Sequence, residues 1–566
     1  MTSQSAHQPI FLPKLWSTAR SYSLPLFWGD LTAGVIVGIV ALPLAIAFAI
    51  ASGVTPDRGL ITAIVAGFLI SALGGSRVQI GGPTGAFIVL VYSIVHQYGL
   101  NGLILCTFLA GIMLIGMGLA RLGILIKLIP YPLTVGFTAG IAVVIAFTQV
   151  KDFLGLQTGP LPAEFLEKCS IYARTIRTIN PTALLLSLLS LAILLLWPRV
   201  NRRIPGSIIA ILAITALVHL LHIPVETIGS RFGEIPSTLP SPSLPQFSVA
   251  EVRHLLGPAF TVALLCAIES LLSATVADGM IEGRHRSNTE LIGQGIANIA
   301  SALFGGMPAT GAIARTATNV RNGGRTPVAG MIHAAVLLLI VLLLGRWAAL
   351  IPLCVLSAIL MMVAYHMSEW HAFRSMLKAP KMDVAVLFTT FLLTIFVDLT
   401  VAVEAGLMMS VLLFMRRMMD VTTVRQVTSQ LKEEEVDENA LRSADDAVSR
   451  RQIPEGVEVY EAEGALFFGI AEMLRDNLTF GKNPPKAVIF RMRHVLALDA
   501  SGIRALQDLR SRCSRMGTRF IIEGLHTQPL VALDRAGVLA EFGEKDVVAT
   551  LDAAIKRAKE VLATSS

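Results

Sequence analysis

The residues best suited to chemistry lie in two glycine- and proline-rich stretches, each set inside a long apolar region. The first reads GGPTGA over residues 81–86, and the second reads GGMPATGA over residues 305–312. Helix-like sequence follows both, so each stretch predicts a helix that begins inside the apolar region. The free amides at such a helix start, aided by the positive end of the helix dipole, bind anions without a charged side chain.

An anion at these two helix starts would contact small residues that leave the backbone accessible, with threonine adding a hydroxyl. The predicted contacts are Thr84, Gly85, Ala86, Thr310, Gly311 and Ala312. Arg315, about one turn into the second helix, is placed to attract the anion or to pair with an acid such as Glu269. Phe48 and Phe87 are candidates for the cavity lining. The alternative is that the glycines only allow close packing of helices.

Glu269 lies in the middle of the apolar run 259–276. A carboxylate at that depth is costly, and such groups usually face a cavity and take part in function. Because burial favours the neutral form of a carboxyl group, Glu269 is predicted to carry a proton. Ser273, one turn further on, shares its face and is a second candidate for proton coupling. The alternative role for both residues is to tie helices together.

The composition is typical of a membrane protein. Of the 566 residues, 54% are hydrophobic and 15% are charged, whereas soluble domains have about 25% charged residues. The net charge of +7 is therefore interpreted as an excess of basic residues in cytoplasmic loops, and not as nucleic-acid binding. The cysteines have no metal-ligand spacing, and no nucleophile–base set is found, so we expect no metal, no cofactor and no enzymatic activity.

Fourteen apolar segments, seven in each half, are predicted to cross the membrane. The first set covers residues 31–52, 59–74, 84–97, 101–120, 128–149, 182–198 and 205–222. The second set covers residues 257–277, 288–304, 310–320, 328–345, 348–365, 382–397 and 400–415. The third and tenth segments are short, which predicts half-helices. An even number of crossings puts both termini on one side, and basic residues in the loops predict that this side is the cytoplasm.

Corresponding positions in the two halves of the sequence are separated by one constant offset. Thr84 and Thr310 are 226 positions apart, and the same offset relates Pro43 to Glu269. Interruptions at corresponding points of two halves indicate a transporter site. If the repeats are inverted, the two helix starts approach each other from opposite directions, and two positive helix ends face one gap near the middle of the membrane.

The character of the sequence changes near residue 419. The predicted organisation is a cytoplasmic segment 1–29, a transmembrane domain 30–418 with Asp30 as a possible helix N-cap, a linker 419–453 and a soluble α/β domain 454–566. In the last domain, strand-like runs at 457–460, 487–490 and 520–522 alternate with helix-like runs near 468–478, 502–515, 527–537 and 546–562. Asp499 and Ser501 can cap the second of these helices, and a phosphate on Ser501 would also be stabilised there.

Together these residues resemble the SulP (sulfate permease) family of anion transporters. The supporting stretches are Asp30-Leu31-Thr32-Ala33-Gly34 with Pro43 and Ala47, Gly82-Pro83-Thr84-Gly85, Ile268-Glu269-Ser270-Leu271, and Pro308-Ala309-Thr310-Gly311 with Arg315. The run Asp499-Ala500-Ser501-Gly502 resembles part of a STAS domain. The resemblance covers the chain from about Asp30 to about residue 560.

The resemblance implies two intertwined inverted repeats of seven segments, like those of uracil permease, which form a moving core domain and a gate domain. It also implies a homodimer, cation coupling at Glu269, a regulatory role for Ser501 and a cytosolic protein partner for the STAS domain. The run 43–47 looks closest to bacterial members that import C4-dicarboxylates such as succinate and fumarate. Leu44 departs from the glutamine of many sulfate-type members, and Ile313 departs from the threonine of sodium-coupled bicarbonate members, which favours proton coupling.

The sequence therefore predicts a secondary active anion transporter in the inner membrane of a bacterium, a proton-coupled C4-dicarboxylate symporter that works by alternating access. The alternatives are a sulfate or bicarbonate transporter or exchanger of the same family, and an uncoupled anion channel. A nucleobase permease on the same fold and a membrane sensor that signals through its terminal domain are further alternatives. The predicted partners are a small inorganic or organic anion, a proton and membrane lipid.

Overall fold

The computed structural model divides the chain into two compact units, Met1–Ser410 and Val411–Ser566. It describes residues 11–123, 130–159, 161–162, 164–201, 205–233, 238, 240–245, 249–397, 399–427, 453–467, 474 and 484–564. Within these residues, eight helices are long and apolar enough to span a membrane. The first unit is therefore a multi-pass helical membrane protein.

The first half of the membrane unit consists of helices that follow the first seven predicted segments. They are α1 (Lys14–Ala19), α2 (Leu24–Ala51), α3 (Pro56–Leu73), β1 (Gly81–Gly82), a 3-10 turn (Gly85–Phe87), α4 (Ile88–Leu119), α5 (Tyr131–Leu154), α6 (Phe165–Thr175), α7 (Pro181–Val200), α8 (Gly206–Leu220) and α9 (Ile228–Phe232). Gly99 has non-helical angles (φ 68°) inside α4. It separates the predicted third and fourth segments, which run on without a loop.

The second half contains helices at all seven positions predicted for it. They are α10 (Val249–Ile281), α11 (Ser287–Leu303), β2 (Thr310–Gly311), α12 (Ile313–Arg321), α13 (Pro327–Ala348), α14 (Leu353–Met367), α15 (Trp370–Met376), α16 (Lys381–Phe396) and α17 (Leu399–Val421). The short α12 confirms the predicted tenth half-helix. Its length is insufficient to cross a bilayer alone, since a span needs about 20 residues.

Asp30 is not the helix N-cap that the sequence suggested, because α2 begins six residues earlier, at Leu24. The side chain of Asp30 is fully buried and instead accepts hydrogen bonds from the amides of Arg325 and Thr326, at the start of α13. Tyr22 Oη also donates to this carboxylate, at 3.2 Å. A residue from the first repeat therefore holds a helix start in the second.

The membrane helices pack in two groups. The core group is α2, α3, α4 and α10–α13, in which α4 packs on α11 and α13 packs on α2 and α3. The gate group is α5, α7, α8, α14 and α16, in which α5 packs on both α14 and α16. Within the core group, a Cβ on Gly111 or Gly295 would lie 2.6–2.7 Å from the carbonyl oxygen of the other, so these glycines permit the close crossing of α4 and α11.

The two halves are joined at the centre of the core group by a short antiparallel ladder. Gly81 of β1 pairs with Gly311 of β2, and Gly82 pairs with Thr310. The 3-10 turn that leads into α4 begins three residues after β1, and α12 begins two residues after β2. Because the strands are antiparallel, the two half-helices leave the crossing in opposite directions, as inverted repeats require.

The C-terminal unit is a five-stranded sheet with helices, in the order β3-β4-β5-β6-β7. The elements are β3 (Thr423–Gln426), β4 (Val457–Leu466), β5 (Ala487–Leu498), α18 (Ala500–Arg515), β6 (Arg519–Glu523), α19 (Thr527–Arg535), α20 (Leu539–Phe542), β7 (Val547–Val548) and α21 (Leu551–Thr564). Strands β4 to β7 pair in parallel, whereas β3 is antiparallel to β4. Apolar side chains cover both faces of the sheet.

Two elements of this unit differ from the sequence prediction. Strand β3 lies in the range expected to be a linker, because its short polar sequence is stabilised by the neighbouring β4 and not by its own pattern. Strand β7 occupies the start of the helix expected over 546–562, and α21 begins only at Leu551. The helix expected near 468–478 and most of the linker lie outside the described residues.

Candidate functional site

The crossing of β1 and β2 leaves two helix starts with unused backbone donors. The amide of Phe87 donates to Thr84 O, at 3.3 Å, so the amides of Gly85 and Ala86 precede the first bond of their helix. In the second half, the first bond of α12 runs from Thr316 N to Ala312 O, at 2.8 Å. The amides of residues 313–315 therefore have no intrahelical partner.

The first helix start faces the gate group. A Cβ built on Gly85 would lie 2.8 Å from Met367 Sδ of α14, 3.5 Å from Ile145 Cδ1 of α5 and 3.5 Å from Phe48 Cε1 of α2. Gly85 is thus buried at the boundary between the core and gate groups. Phe48 lies at this site as predicted, whereas Ile145 and Met367 carry no chemical signal that sequence reasoning could have used.

The second helix start is built differently from the prediction. The amide of Ala312 donates to Ile80 O, at 2.9 Å, so it is already used. The Thr310 hydroxyl donates to Cys266 O of α10, at 2.9 Å, and Thr310 is fully buried. A Cβ on Gly311 would overlap the side chain of Gln79. Residues 310–312 therefore form the strand that supports the site, and the available amides lie one position later.

Thr84 and Phe87 are also buried. Among the residues that the structure describes, the hydroxyl of Thr84 has no hydrogen-bond partner, which leaves it available to a ligand or to water. Phe87 is fully buried in the apolar cluster of the core, so its side chain faces neither lipid nor an open cavity. Of the two phenylalanines proposed as lining, Phe48 is the one that contacts the space beside Gly85.

Arg315 lies behind the crossing and does not pair with an acid among the described residues. Its Nη2 donates to the carbonyl oxygen of Pro83, the residue between β1 and Thr84. Its Nη1 has no hydrogen-bond partner in the described part of the chain, and a Cβ on Gly82 would lie 2.7 Å from it. The side chain is 3% exposed. Because guanidinium stays charged, Arg315 supplies positive potential close to both helix starts without reaching the gap in front of Gly85.

Glu269 and Ser273 lie on α10 but have different surroundings. The Ser273 hydroxyl is fully buried and donates to Thr316 Oγ1, at 3.2 Å, so it ties α10 to α12. Glu269 is half-buried, and its carboxylate has no hydrogen bond or ion pair within the described residues. The charged group that acts on it is Glu369, which directly precedes α15 and has a left-handed backbone conformation (φ 40°). Sequence reasoning missed Glu369, because its proximity depends on the packing of α14 and α15.

Polar side chains that sequence reasoning missed hold the crossing in shape. Asn298 of α11 binds both sides of Ala309, donating to its carbonyl oxygen and accepting from its amide, each at 2.9 Å. Gln79 donates to Ser270 O at 3.3 Å, and Asn319 donates to Val78 O at 2.8 Å. Irregular backbone at membrane depth needs such partners, since lipid offers none. Asn298 and Asn319 lie on α11 and α12, and Gln79 lies in the loop before β1, where each is an ordinary polar residue by sequence.

In the C-terminal unit, Asp499 is the cap of α18. Its Oδ1 accepts from the amide of Gly502, at 2.8 Å. Ser501 is exposed on the first turn of the same helix and does not cap it. The capping interpretation therefore holds for Asp499, and a phosphate on Ser501 stays a prediction.

Comparison with known proteins agrees with this architecture. The sulfate permease family model matches residues 27–390, and the STAS domain model matches residues 450–554. "Putative sulfate transporter YvdB" of Bacillus subtilis is 40% identical over 529 residues, which is 93% of this chain and 97% of the relative. "Bicarbonate transporter BicA" of Synechocystis is 30% identical over 542 residues, 94% of each chain.

Solved structures show the same fold. The structure of SLC26A9 matches with a TM-score of 0.84 at 20% identity and covers 98% of this chain and 93% of its own. The transmembrane domain of a cyanobacterial bicarbonate transporter, BicA, matches with a TM-score of 0.62 at 30% identity, covering 69% of this chain and 98% of its own. The chain belongs to the sulfate permease family, and it is an anion transporter of that family with a C-terminal STAS domain.

Proposed function

We propose that this protein carries a small inorganic oxyanion, sulfate or bicarbonate, across the plasma membrane by alternating access. The observation that carries the proposal is the meeting of two half-helix starts with unused amides, at residues 85–86 and 313–315, beside one buried arginine. Backbone amides at a helix start recognise an anion by charge and hydrogen bonding. The anion would lie in front of Gly85, between the core and gate groups.

The names of the relatives favour inorganic anions over C4-dicarboxylates. The relatives cited above are named for sulfate and bicarbonate, and none of those names refers to a dicarboxylate. Phe48, Ile145 and Met367 all lie close to the backbone of Gly85, so any anion in front of it would displace these side chains. Fumarate remains the organic anion to include in a transport assay.

We infer that Glu269 carries a coupling proton. Its half-buried carboxylate has no cation or donor within the described residues, and Glu369 is the charged neighbour that acts on it. Two carboxylates that interact electrostatically repel each other unless one is protonated. Closing the gate group over Glu269 would bury an unpaired charge, which is costly, whereas the protonated form can be buried. Movement of the core would then require the proton together with the anion.

The test is uptake of labelled sulfate, bicarbonate and fumarate into proteoliposomes, with and without an inward proton gradient. We expect saturable uptake of an inorganic anion that the gradient drives above equilibrium. The variant Glu269→Gln should retain sulfate or bicarbonate exchange but lose gradient-driven accumulation. Glu404→Gln, which changes an exposed carboxylate on α17, is the matched control.

Three results would contradict parts of this proposal. Accumulation by Glu269→Gln equal to that of the wild type would remove the proton role from this residue. Uptake of fumarate alone would support the dicarboxylate alternative and overturn the choice of substrate. Anion flow that only equilibrates in the wild type would identify a channel.

A further inference from the structure

A cavity lies between the core and gate groups, away from the crossing of β1 and β2. Its volume is about 320 Å³, and its walls come from α4, α5, α6 and α16. Ile88 and Val89 contribute to the wall, and they directly follow the 3-10 turn Gly85–Phe87. One turn of helix therefore separates this cavity from the proposed anion site. Its polar lining includes Tyr92, Glu164, Glu167 and Lys168.

Lys168 of α6 is the unusual residue in this cavity. Its side chain is 4% exposed, and no carboxylate forms an ion pair with it within the described residues. Its ammonium lies 4.8 Å from the centroid of the Tyr92 ring. Burial lowers the pKa of Lys168 from its usual value. A cation–π contact compensates only part of the cost of burying a charge, and buried lysines are normally paired with an anion, which the described residues do not supply to Lys168.

The contact between Lys168 and Tyr92 joins the two groups of helices. Tyr92 lies on α4 of the core group, and its hydroxyl donates to Leu161 O, at 2.7 Å. Helix α6 is attached to the gate group instead, because Phe165 packs against Phe147 of α5 and Phe396 of α16, with ring centroids 4.5 and 5.7 Å apart. A displacement of the core against the gate would therefore change the contact between Tyr92 and Lys168.

We propose that this cavity is an access site for the transported anion, in which Lys168 binds the anion before it reaches the amides of Gly85 and Ala86. In the state described here, Tyr92 covers the ammonium and closes the route. When the core group moves, Tyr92 withdraws and the ammonium is available to an anion arriving from the α6 side of the membrane. Glu164 and Glu167 are exposed at the rim. They disfavour anions outside the cavity and do not neutralise Lys168. This inference rests on the proposed function.

The first experiment measures sulfate transport from each side of oriented vesicles that contain the full chain. Lys168→Met keeps the apolar stem and removes the charge. A single positive charge near a divalent anion in a hydrated site predicts that the KM for sulfate on the α6 side rises about fivefold to tenfold. We expect the KM on the opposite side to stay the same and Lys168→Arg to restore the wild-type value. Lys151→Met is the matched control, because Lys151 Nζ donates to Gly159 O and does not line the cavity.

The second experiment reads the amine directly and does not depend on transport. A membrane-impermeant amine-reactive ester is added on the α6 side, and acylation of Lys168 is followed by peptide mass spectrometry. We expect slow labelling of Lys168 in the wild type and several-fold faster labelling in Tyr92→Leu. Sulfate should slow the labelling of Lys168 in Tyr92→Leu. If neither Tyr92→Leu nor sulfate changes the rate at which Lys168 is labelled, the proposal of an access site is wrong. A wild-type protein that moves no anion would instead contradict the proposed function.

Discussion

Replacing Gly85 with alanine tests the anion site with a single methyl group. The backbone at Gly85 is helical, so alanine is compatible with its conformation. The new Cβ would lie 2.8 Å from Met367 Sδ, the flexible end of a methionine, and at ordinary contact distance from Ile145 and Phe48. Because the thioether can move, the fold should tolerate the change. The methyl group would nevertheless occupy the space in front of the amides.

The size of the effect follows from the hydrogen bonds that an anion would lose. A hydrogen bond to a charged group contributes about 1.5–3 kcal/mol, so loss of one such bond, about 2 kcal/mol, weakens apparent affinity roughly 30-fold. The assay is the concentration dependence of sulfate and bicarbonate uptake into proteoliposomes. Thermal unfolding of the purified variant, measured in parallel, should give a midpoint within a few degrees of the wild type.

The control is Gly116→Ala, which makes the same change in the second part of α4. A Cβ on Gly116 meets no atom within 4 Å. We expect unchanged transport and equal or slightly greater stability, since alanine is the better helix former. If folded Gly85→Ala transports with the wild-type KM, the amide of Gly85 does not contact the anion, and the placement of the site in front of it is wrong.

The remaining predictions concern the C-terminal unit. Arg491 is buried and binds Glu461 and Glu523, each at 3.0 Å. Arg491→Met should therefore lower the free energy of unfolding of this unit by about 3–5 kcal/mol, because it leaves a buried carboxylate unpaired. Denaturant unfolding measures this loss, and a loss under 1 kcal/mol would contradict the reasoning. Burial raises the pKa of the Cys513 thiol to about 11. Cys513 should therefore stay protonated and resist alkylation at pH 8–9 until the unit unfolds, as peptide mass spectrometry would show; rapid labelling of the folded protein would refute this.

Several features of the site were predictable because they depend on local sequence. Glycine and proline inside an apolar run interrupt a helix wherever they occur, so the starts of both half-helices could be placed from residues 81–86 and 305–312. Glu269 stands out for a similar reason, since a carboxylate in an apolar helix needs an explanation. Capping at Asp499 likewise depends on residues only three positions apart.

Other features of the site depend on contacts between distant segments. The pairing of Gly81 with Gly311 uses the amide of Ala312, which moves the available donors of α12 to residues 313–315. The same crossing directs Arg315 towards Pro83 and Ser273 towards Thr316, so neither meets Glu269. Residue type and spacing suggested both pairings, but the direction of each side chain is set by which helix packs beside it.

The amino-acid sequence by itself determined the class of protein and the two interrupted helices, and it predicted the candidate site residues. These conclusions need only hydrophobicity, helix geometry and the cost of polar groups in lipid. Only the tertiary structure decided which amides stay free, which side chains support the crossing, and that Lys168 of the gate group lies against Tyr92 of the core group. The physical reason is that each of these contacts joins segments far apart in the chain, and their proximity follows from the packing of the two repeats.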